Sequence, residues 1–232
     1  MKISGIQKLT LLDFPGRIAC TVFLSGCNFR CPFCHNPGLV FGSPEEISLD
    51  EVLSFLKKRQ GVLGGVAVTG GEPLLYRETE DMLKSFKDLG YEIKLDTNGS
   101  FPDRLSRIIK NGYADYVAMD IKNSAKAYGR TVGIEKFDVS PILKSIDILR
   151  SSGIEYEFRT TVVDEFHGDA EMDGILDMID GCRNYYLQKF NDTGSLVGSI
   201  GGSSNLHSAS DEKMNSFLEK ARGKIPNVQI RG

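Results

Sequence analysis

The sequence lacks any apolar run that is long enough to cross a membrane. A transmembrane helix needs roughly 20 consecutive apolar residues, and no stretch of the 232 residues approaches that length. The opening segment MKISGIQKLTLLDFPG also has no uninterrupted apolar core of the kind found in secretion signals. We therefore expect a cytoplasmic protein with no membrane partner.

A strong excess of either charge is also missing. Lysine and arginine total 28 against 31 aspartates and glutamates, which gives a formal net charge of −3. No basic stretch supplies the positive surface that nucleic-acid binding requires, so nucleic acid is not an expected partner. With 41% hydrophobic and 25% charged residues, the composition is typical of a globular protein. The length predicts a single domain over residues 1–232.

Residue patterns for hydrolysis or phosphoryl transfer are absent as well. The only histidines are His35, His167 and His207, and none stands in a pattern that suggests a catalytic triad. No glycine-rich phosphate-binding loop occurs either. We predict His167 and His207 to be loop residues.

The five cysteines stand at positions 20, 27, 31, 34 and 182. Their odd number and the clustering of three of them disfavour a disulfide framework and indicate a metal centre. The spacing Cys27-x3-Cys31-x2-Cys34 puts three thiolates on one loop, whereas structural zinc normally takes four protein ligands. A [4Fe–4S] cluster held by three thiolates would keep one iron open for a substrate or cofactor. A zinc loop completed by His35 or Cys182 is the alternative that the spacing leaves open.

Short apolar segments alternate along the chain with longer amphipathic ones. The predicted strands lie near 18–24, 66–69, 91–97, 116–121, 154–162 and 185–190. The predicted helices lie near 49–59, 79–89, 102–111, 140–151, 170–180 and 211–221. This alternation favours a parallel sheet with right-handed crossovers. We predict an α/β fold, an open six-stranded (β/α)6 partial TIM-type barrel with an N-terminal hairpin; a doubly wound open sheet is the alternative.

Polar residues at the ends of three predicted strands favour the barrel. They alternate with apolar ones, as in Lys94, Asp96 and Asn98, in Asp120 and Lys122, and in Glu157, Arg159 and Thr161. A buried parallel sheet is apolar on both faces, whereas a barrel collects polar groups at the carboxyl ends of its strands. The segment 191–210 is rich in glycine and serine, and we predict a mobile loop there.

The run CNFRCPFCHNP resembles the signature of the radical S-adenosylmethionine superfamily and, within it, the glycyl-radical-enzyme activases. The resemblance extends over nearly the whole chain, through KLTLLDFPGRIACTVFLSGC at the start, TGGEPLL at 69–75, LDTNG at 95–99, MDIK at 119–122 and PNVQIRG at the end. The first and last of these runs are most similar to the anaerobic ribonucleoside-triphosphate reductase activating proteins.

This resemblance implies that Cys27, Cys31 and Cys34 each bind one iron of a [4Fe–4S] cluster. S-adenosylmethionine would chelate the fourth iron through its amino and carboxylate groups. Reductive cleavage of the sulfonium would then give a 5′-deoxyadenosyl radical, which would remove a hydrogen atom from a glycine of a partner enzyme. The implied partner is an anaerobic ribonucleotide reductase. Another glycyl radical enzyme, a small-molecule substrate and a non-catalytic zinc-binding interaction module are the alternatives.

The sequence contains no second cysteine cluster that could relay electrons within the chain. The electron is therefore expected to come from outside, from a flavodoxin or a ferredoxin.

The resemblance also implies which side chains contact S-adenosylmethionine. Gly70, Gly71 and Glu72 would meet its methionine amino end, and Phe33 its adenine. Further candidates for cofactor binding are Thr97, Asn98, Asp120, Lys122, Arg159 and Gln188, with Asn191 as an alternative to Gln188. Asp96 and Asp120 are predicted to hold a monovalent cation beside the methionine carboxylate. Neutralisation of this pair by Lys122 is the alternative.

Overall fold

The protein is built on one eight-stranded sheet. The structure, a computed structural model, describes residues 1–42, 46–192, 194–199 and 205–231. The strands are β1 (Ile3–Thr10), β2 (Ala19–Leu24), β3 (Gly65–Gly70), β4 (Glu92–Thr97), β5 (Tyr116–Asp120), β6 (Glu155–Val162), β7 (Asn184–Lys189) and β8 (Asn227–Arg231). Their order in the sheet follows the chain. Strand β1 pairs antiparallel with β2, and all later neighbours are parallel.

Helices connect the parallel strands. They are α1 (Pro37–Phe41), α2 (Leu49–Lys57), α3 (Thr79–Asp88), α4 (Pro102–Lys110), α5 (Tyr128–Val132), α6 (Ser140–Ser152), α7 (Asp169–Met178) and α8 (Asp211–Arg222). The six long helices match the predicted ones to within a few residues, because each carries a continuous amphipathic pattern. The short helices α1 and α5 were not predicted, since five residues carry too little periodicity. No helix in the described part of the chain is long and apolar enough to cross a membrane.

The parallel barrel-type α/β fold predicted from the sequence is confirmed. The six predicted strands correspond to β2–β7, and the predicted hairpin is β1 with β2. A doubly wound sheet would reverse its strand order at a switch point, whereas this order never reverses. Strand β8 was missed, because only two of its five residues, Val228 and Ile230, are apolar.

The sheet is strongly curved. Arg159 on β6 reaches Asp96 on β4 at 3.1 Å, although β5 lies between the two strands. Likewise, Arg231 on β8 reaches Glu157 on β6 at 2.8 Å across β7. Strands two places apart in a flat sheet are separated by about 9.5 Å. The side chains on the concave face therefore converge, as they do inside a barrel.

The turn of the N-terminal hairpin closes the barrel at the amino ends of its strands. Phe14 is only 3% exposed, and its ring centroid lies 6.2 Å from that of Tyr116. A Cβ atom on Gly65 would come within 2.7 Å of the Phe14 ring, so only glycine fits at the start of β3. Asp13 accepts a hydrogen bond of 2.5 Å from the Thr21 hydroxyl, which fixes the turn against β2. The opposite end of the barrel stays open.

One ion pair ties the last strand to the barrel interior. Glu157 is completely buried and receives two hydrogen bonds from Arg231, of 2.8 and 3.0 Å. The Tyr116 hydroxyl donates a third, of 2.8 Å. The Arg231 guanidinium also lies over the ring of Tyr186, 3.3 Å from its centroid. Removing one partner of such a pair is costly, because it leaves the other charge buried without compensation.

We predict that Arg231→Met lowers the free energy of unfolding by about 2 to 4 kcal/mol. The loss should be smaller than that for a fully buried pair, because the Arg231 side chain is partly exposed. Urea denaturation of the cluster-free chain measures this change. The matched control is Arg222→Met, since Arg222 forms an exposed pair with Glu219 at 2.8 Å; the control should change stability by less than about 0.5 kcal/mol. Equal losses in the two variants would contradict a special role for the buried pair.

Candidate active site

A cavity opens at the carboxyl ends of the parallel strands. It encloses about 850 Å³ of empty space, part of it open to solvent. The cysteine loop, residues 25–36, forms one wall with Cys27, Cys31 and Cys34. Strand ends form the other wall with Asp96, Asp120 and Arg159. The structure therefore brings the three cysteines and the predicted polar strand ends together around one space.

Two glycines allow the segment after β3 to touch the cysteine loop. The amide of Gly71 donates to the Leu24 carbonyl, and that of Glu72 donates to the Gly26 carbonyl, both at 2.8 Å. A Cβ atom on Gly70 would lie 2.1 Å from the Leu24 carbonyl oxygen, and one on Gly71 would lie 2.0 Å from that of Gly26. Both obstacles are backbone atoms, which cannot move aside as a flexible side chain can. Glycine at 70 and 71 is thus a steric requirement of the site.

Two further contacts hold the cysteine loop. The Arg30 amide donates to the Val132 carbonyl at 2.8 Å, which joins the loop to α5. Val197 and Gly198 donate to the carbonyls of Cys34 and Pro32, at 2.9 and 2.8 Å. These last residues belong to the predicted mobile loop 191–210. Its residues 193 and 200–204 lie outside the described residues, whereas 197–198 are hydrogen-bonded to the cysteine loop.

Two of the three thiols lie in surroundings that favour their protonated form when no metal is bound. Burial raises the pKa of Cys27 and raises that of Cys31 to about 12, while the positive charge of Lys122 works in the opposite direction. Iron must therefore displace the thiol protons when it binds. The Cys27 sulfur already accepts hydrogen bonds from the Phe29 amide at 3.4 Å and from the Asn98 side chain at 4.0 Å. Donors of this kind tune the potential of a cluster through its sulfurs.

The alternative of a single zinc ion gains no support from the geometry. Within the described ranges, no group of three or more His, Cys, Asp or Glu side chains is arranged to hold one ion. In a cluster the thiolates bind separate irons, so they need not meet at one point. Cys182 is buried beyond α7 and does not line the cavity, and Cys20 is buried within β2 as predicted.

His35 stands beside the cysteines on the cavity wall and leaves one nitrogen without a partner. Its ring stacks on Phe190 with centroids 5.5 Å apart. Its Nδ1 atom is buried and has no hydrogen-bond partner among the described residues. Orphaned buried nitrogens are rare in folded proteins. Together with the three thiols, this one fits a cavity that is completed by a bound group.

Glu72 is turned away from the cavity. Its carboxylate is fully buried and accepts hydrogen bonds from the Leu74 amide at 2.9 Å, the Thr97 hydroxyl at 2.8 Å and the Asn98 amide at 2.6 Å. Burial raises its pKa to about 7, although the three donors work against that rise. Glu72, Thr97 and Asn98 therefore join the segment after β3 to the end of β4. A direct contact of Glu72 with an ammonium group stays a prediction.

The polar strand ends form a chain of alternating charges. The Lys94 ammonium contacts Asp96, and Asp96 also contacts Arg159 at 3.1 Å. Arg159 bridges to Asp120 at 2.9 Å, and Asp120 in turn contacts Lys122 at 2.9 Å. Burial alone would raise the pKa values of Asp96 and Asp120, but the neighbouring cations outweigh it and hold both below their usual values. Three cations face two carboxylates, so the network carries one excess positive charge.

The remaining predicted residues differ in their placement. Phe33 lines the cavity and packs on Phe166, with ring centroids 5.8 Å apart. Gln188 on β7 is half-buried and Asn191 is exposed, and neither is among the described residues that line the cavity. Thr161 on β6 does line it. The alternation of Glu157, Arg159 and Thr161 places it on the polar face of the strand in the sequence, although it was not among the predicted cofactor contacts.

The two other histidines have partners that the sequence did not reveal. His167 is completely buried, and its Nε2 lies 3.0 Å from the carbonyl oxygen of Lys122. It therefore fixes the segment that follows β5, at the edge of the cavity. His207 is largely exposed, lies outside the helices and strands as predicted, and contacts Glu165 at 2.5 Å. Neither contact is local in sequence, so residue spacing could not predict them.

Comparisons with known proteins identify a family that this chain resembles along most of its length. The family model of the radical SAM superfamily matches residues 21–179. A protein of Methanocaldococcus jannaschii, described as a glycyl-radical enzyme activating enzyme, is 30% identical over 195 residues, which cover 81% of this chain and 79% of that protein. The pyruvate formate-lyase-activating enzyme of Clostridium pasteurianum is 32% identical over 171 residues, covering 70% of this chain and 68% of that enzyme.

A solved structure shows the same fold. Streptococcus suis SuiB bound to S-adenosylmethionine superposes with a TM-score of 0.66 at 13% identity. The match covers 89% of this chain and 48% of SuiB.

The steric argument at the two glycines predicts that Gly71→Ala destabilises the chain by about 2 to 3 kcal/mol. It should also lower the iron and sulfide bound per chain after anaerobic reconstitution, because the cysteine loop must shift. Gly5→Ala is the matched control, since a Cβ atom on Gly5 would meet nothing within 4 Å. A Gly71→Ala variant with the stability and iron content of the control would contradict the argument.

Burial of Glu72 predicts a pH dependence of stability. Burial raises its pKa to about 7 in the folded chain, above the 4.5 of an ordinary glutamate, so folding takes up a proton between these pH values. The stability of the wild type relative to Glu72→Gln should therefore fall by about 1 to 3 kcal/mol between pH 5 and pH 8. Urea denaturation at several pH values measures it. Glu219→Gln, at an exposed position, is the control. If the stability of the wild type relative to Glu72→Gln rose with pH instead, the carboxylate would be stabilised in its charged form and the prediction would be wrong.

Proposed function

The chain belongs to the radical SAM superfamily, in the group of glycyl-radical-enzyme activating proteins, and on that premise we propose that it installs a glycyl radical in a partner enzyme. The observation that carries this proposal is the single cavity in which three cysteines face the charged ends of strands β4–β6. The family uses a [4Fe–4S] cluster and S-adenosylmethionine, which when bound supply a 5′-deoxyadenosyl radical.

The cysteines would hold the cluster. Cys27, Cys31 and Cys34 would bind one iron each, which leaves the fourth iron for S-adenosylmethionine. The hydrogen bonds to the Cys27 sulfur support a ligand role for that residue, since donors to the sulfurs are part of how proteins tune such clusters. The backbone contacts of the loop with Glu72, Val132 and Val197 fix its main chain before iron arrives.

The opposite wall would bind S-adenosylmethionine. Its methionine carboxylate is complementary to the one excess positive charge of the network from Lys94 to Lys122. Within that network, Arg159 and Lys122 are the cations that line the cavity. The backbone at Gly70 and Gly71 lines the cavity and is available to the amino end. Phe33, held against Phe166, offers an apolar ring face to the adenine.

We propose an anaerobic ribonucleoside-triphosphate reductase as the partner. The support is the resemblance of the opening run KLTLLDFPGRIACTVFLSGC and the closing run PNVQIRG to the activating proteins of such reductases. A pyruvate formate-lyase is the second candidate, because an activating enzyme of that lyase is a relative. The electron would come from a flavodoxin or a ferredoxin, since the two remaining cysteines, Cys20 and Cys182, are buried apart from each other and from the cavity.

The reconstituted chain should convert S-adenosylmethionine to 5′-deoxyadenosine under dithionite and produce a glycyl radical in the reductase. Chromatography measures the nucleoside, and electron paramagnetic resonance of the partner measures the radical. Incubation with pyruvate formate-lyase in place of the reductase tests the second candidate. A radical signal in the lyase alone would reassign the partner.

Two variants control this experiment. Cys31→Ala should abolish both products, because it removes an iron ligand, whereas Cys182→Ala should retain both. Nucleoside formation without a glycyl radical in either partner would contradict the activase role and leave the radical chemistry standing. A chain that binds one zinc and no iron would contradict the enzyme as a whole.

A further inference from the structure

Lys94 is an unusual residue for its position. It lies on β4 with its side chain only 3% exposed, inside the barrel. Lysine is almost never fully buried unless it is paired, because an ammonium group loses its hydration there. Its register partner on the adjacent strand β3 is Ala67, a small residue on the same side of the sheet. Lys94 does not line the cavity, so its charge acts through the carboxylate that it contacts, which is Asp96.

The two aspartates predicted to hold a monovalent cation are already neutralised by the chain. Asp96 uses one carboxylate oxygen for the Lys94 ammonium and the other for the Arg159 guanidinium. Asp120 uses one oxygen for Arg159 and the other for Lys122. Each of the four carboxylate oxygens therefore has a cationic partner from the chain itself.

An inorganic cation does not fit this arrangement. Sodium or potassium would have to share carboxylate oxygens with Lys94, Arg159 or Lys122, and so would lie within a few ångströms of those charges. The network already carries one positive charge more than it has carboxylates to offset. Like charges at about 4 Å repel by roughly 4 kcal/mol at the effective dielectric constant typical of proteins. The prediction of a cation at Asp96 and Asp120 therefore disagrees with the side chains that are present.

We propose that the Lys94 ammonium takes the place of a monovalent cation beside Asp96, so that the site is complete without bound sodium or potassium. Arg159 and Lys122 line the cavity and face a ligand, whereas Lys94 lies behind Asp96 and supplies only charge. Lys94 is thus a positioning residue, which acts by fixing Asp96 and, through it, Arg159. The inference deepens the proposed function, since it concerns the same cavity, but its test requires no turnover.

The test compares the reconstituted wild type with Lys94→Met in sodium, potassium or choline chloride at equal ionic strength. Wild type should unfold at the same temperature in all three salts, because its carboxylates are already paired. Lys94→Met leaves Asp96 one cation short. Its Tm should therefore be about 3 to 6 °C higher in about 0.1 M potassium or sodium chloride than in choline chloride.

Thallium-205 resonance, with Tl⁺ in place of potassium, measures binding directly. A bound ion should appear in Lys94→Met and not in wild type. The conservative variant Lys94→Arg should behave as wild type. If the role of Lys94 were purely structural, the Tm of Lys94→Met would not depend on the salt cation. Lys84→Met is the matched control, because Lys84 forms an exposed pair with Asp88 and loses the same charge.

Two results would overturn the proposal. One is a wild type that binds thallium, or whose Tm is higher in potassium or sodium chloride than in choline chloride. This result does not depend on the folding of any variant. The other is a folded Lys94→Met, or Lys94→Gln as the milder change, that shows no cation dependence. If the cation pattern holds and no 5′-deoxyadenosine is formed, the proposed function fails while this inference stands.

Discussion

The site depends on one close approach of two backbone segments. The segment at the end of β3 donates one hydrogen bond to Leu24, the last residue of β2, and one to Gly26 in the cysteine loop. Only glycine at 70 and 71 leaves room for this approach. Glu72, the next residue, carries this contact onward to the end of β4 by accepting from Thr97 and Asn98. The position of the thiols relative to the charged strand ends is therefore set by main-chain geometry. Main-chain contacts of this kind do not require the side chains around the cavity to be rigid.

The interior of the barrel is polar in a way that a simple hydrophobic core is not. Burying ionised side chains costs several kcal/mol per ion unless well-formed partners offset the loss of hydration. Lys94, Asp96, Arg159, Asp120 and Lys122 offset it by alternating in sign along one continuous chain of contacts. Such a chain is poorly suited to stabilising the fold, and well suited to fixing the direction of each charge before a ligand enters. The apolar packing that stabilises the protein lies outside this layer, between the sheet and its helices.

The sequence alone predicted those elements whose residue pattern is local. Strands β2–β7, the six long helices, the cysteine loop and the two glycines are all encoded by short-range spacing or by a run of one residue type. Strand β8 was missed because its apolar pattern is too short to stand out, and its place depends on pairing with β7. The contacts of Glu72 with Thr97 and Asn98 join residues 25 and 26 positions apart, so no local pattern reveals them. The contact of Arg159 with Asp96 spans 63 positions and depends on the curvature of the sheet. Thr161 and Gln188 are register partners on β6 and β7, yet only Thr161 lines the cavity, a difference that the sequence does not reveal.

The ion pair between Glu157 and Arg231 has a consequence for how the chain is made. Neighbouring strands are consecutive in sequence, so each can pair as soon as it leaves the ribosome. Glu157, however, is separated from Arg231 by 74 positions. At a synthesis rate of 5–20 residues per second, this carboxylate exists for about 4 to 15 s before its guanidinium partner is made. During that time the carboxylate lacks its guanidinium partner, so we expect its full burial to follow only after the last strand is added.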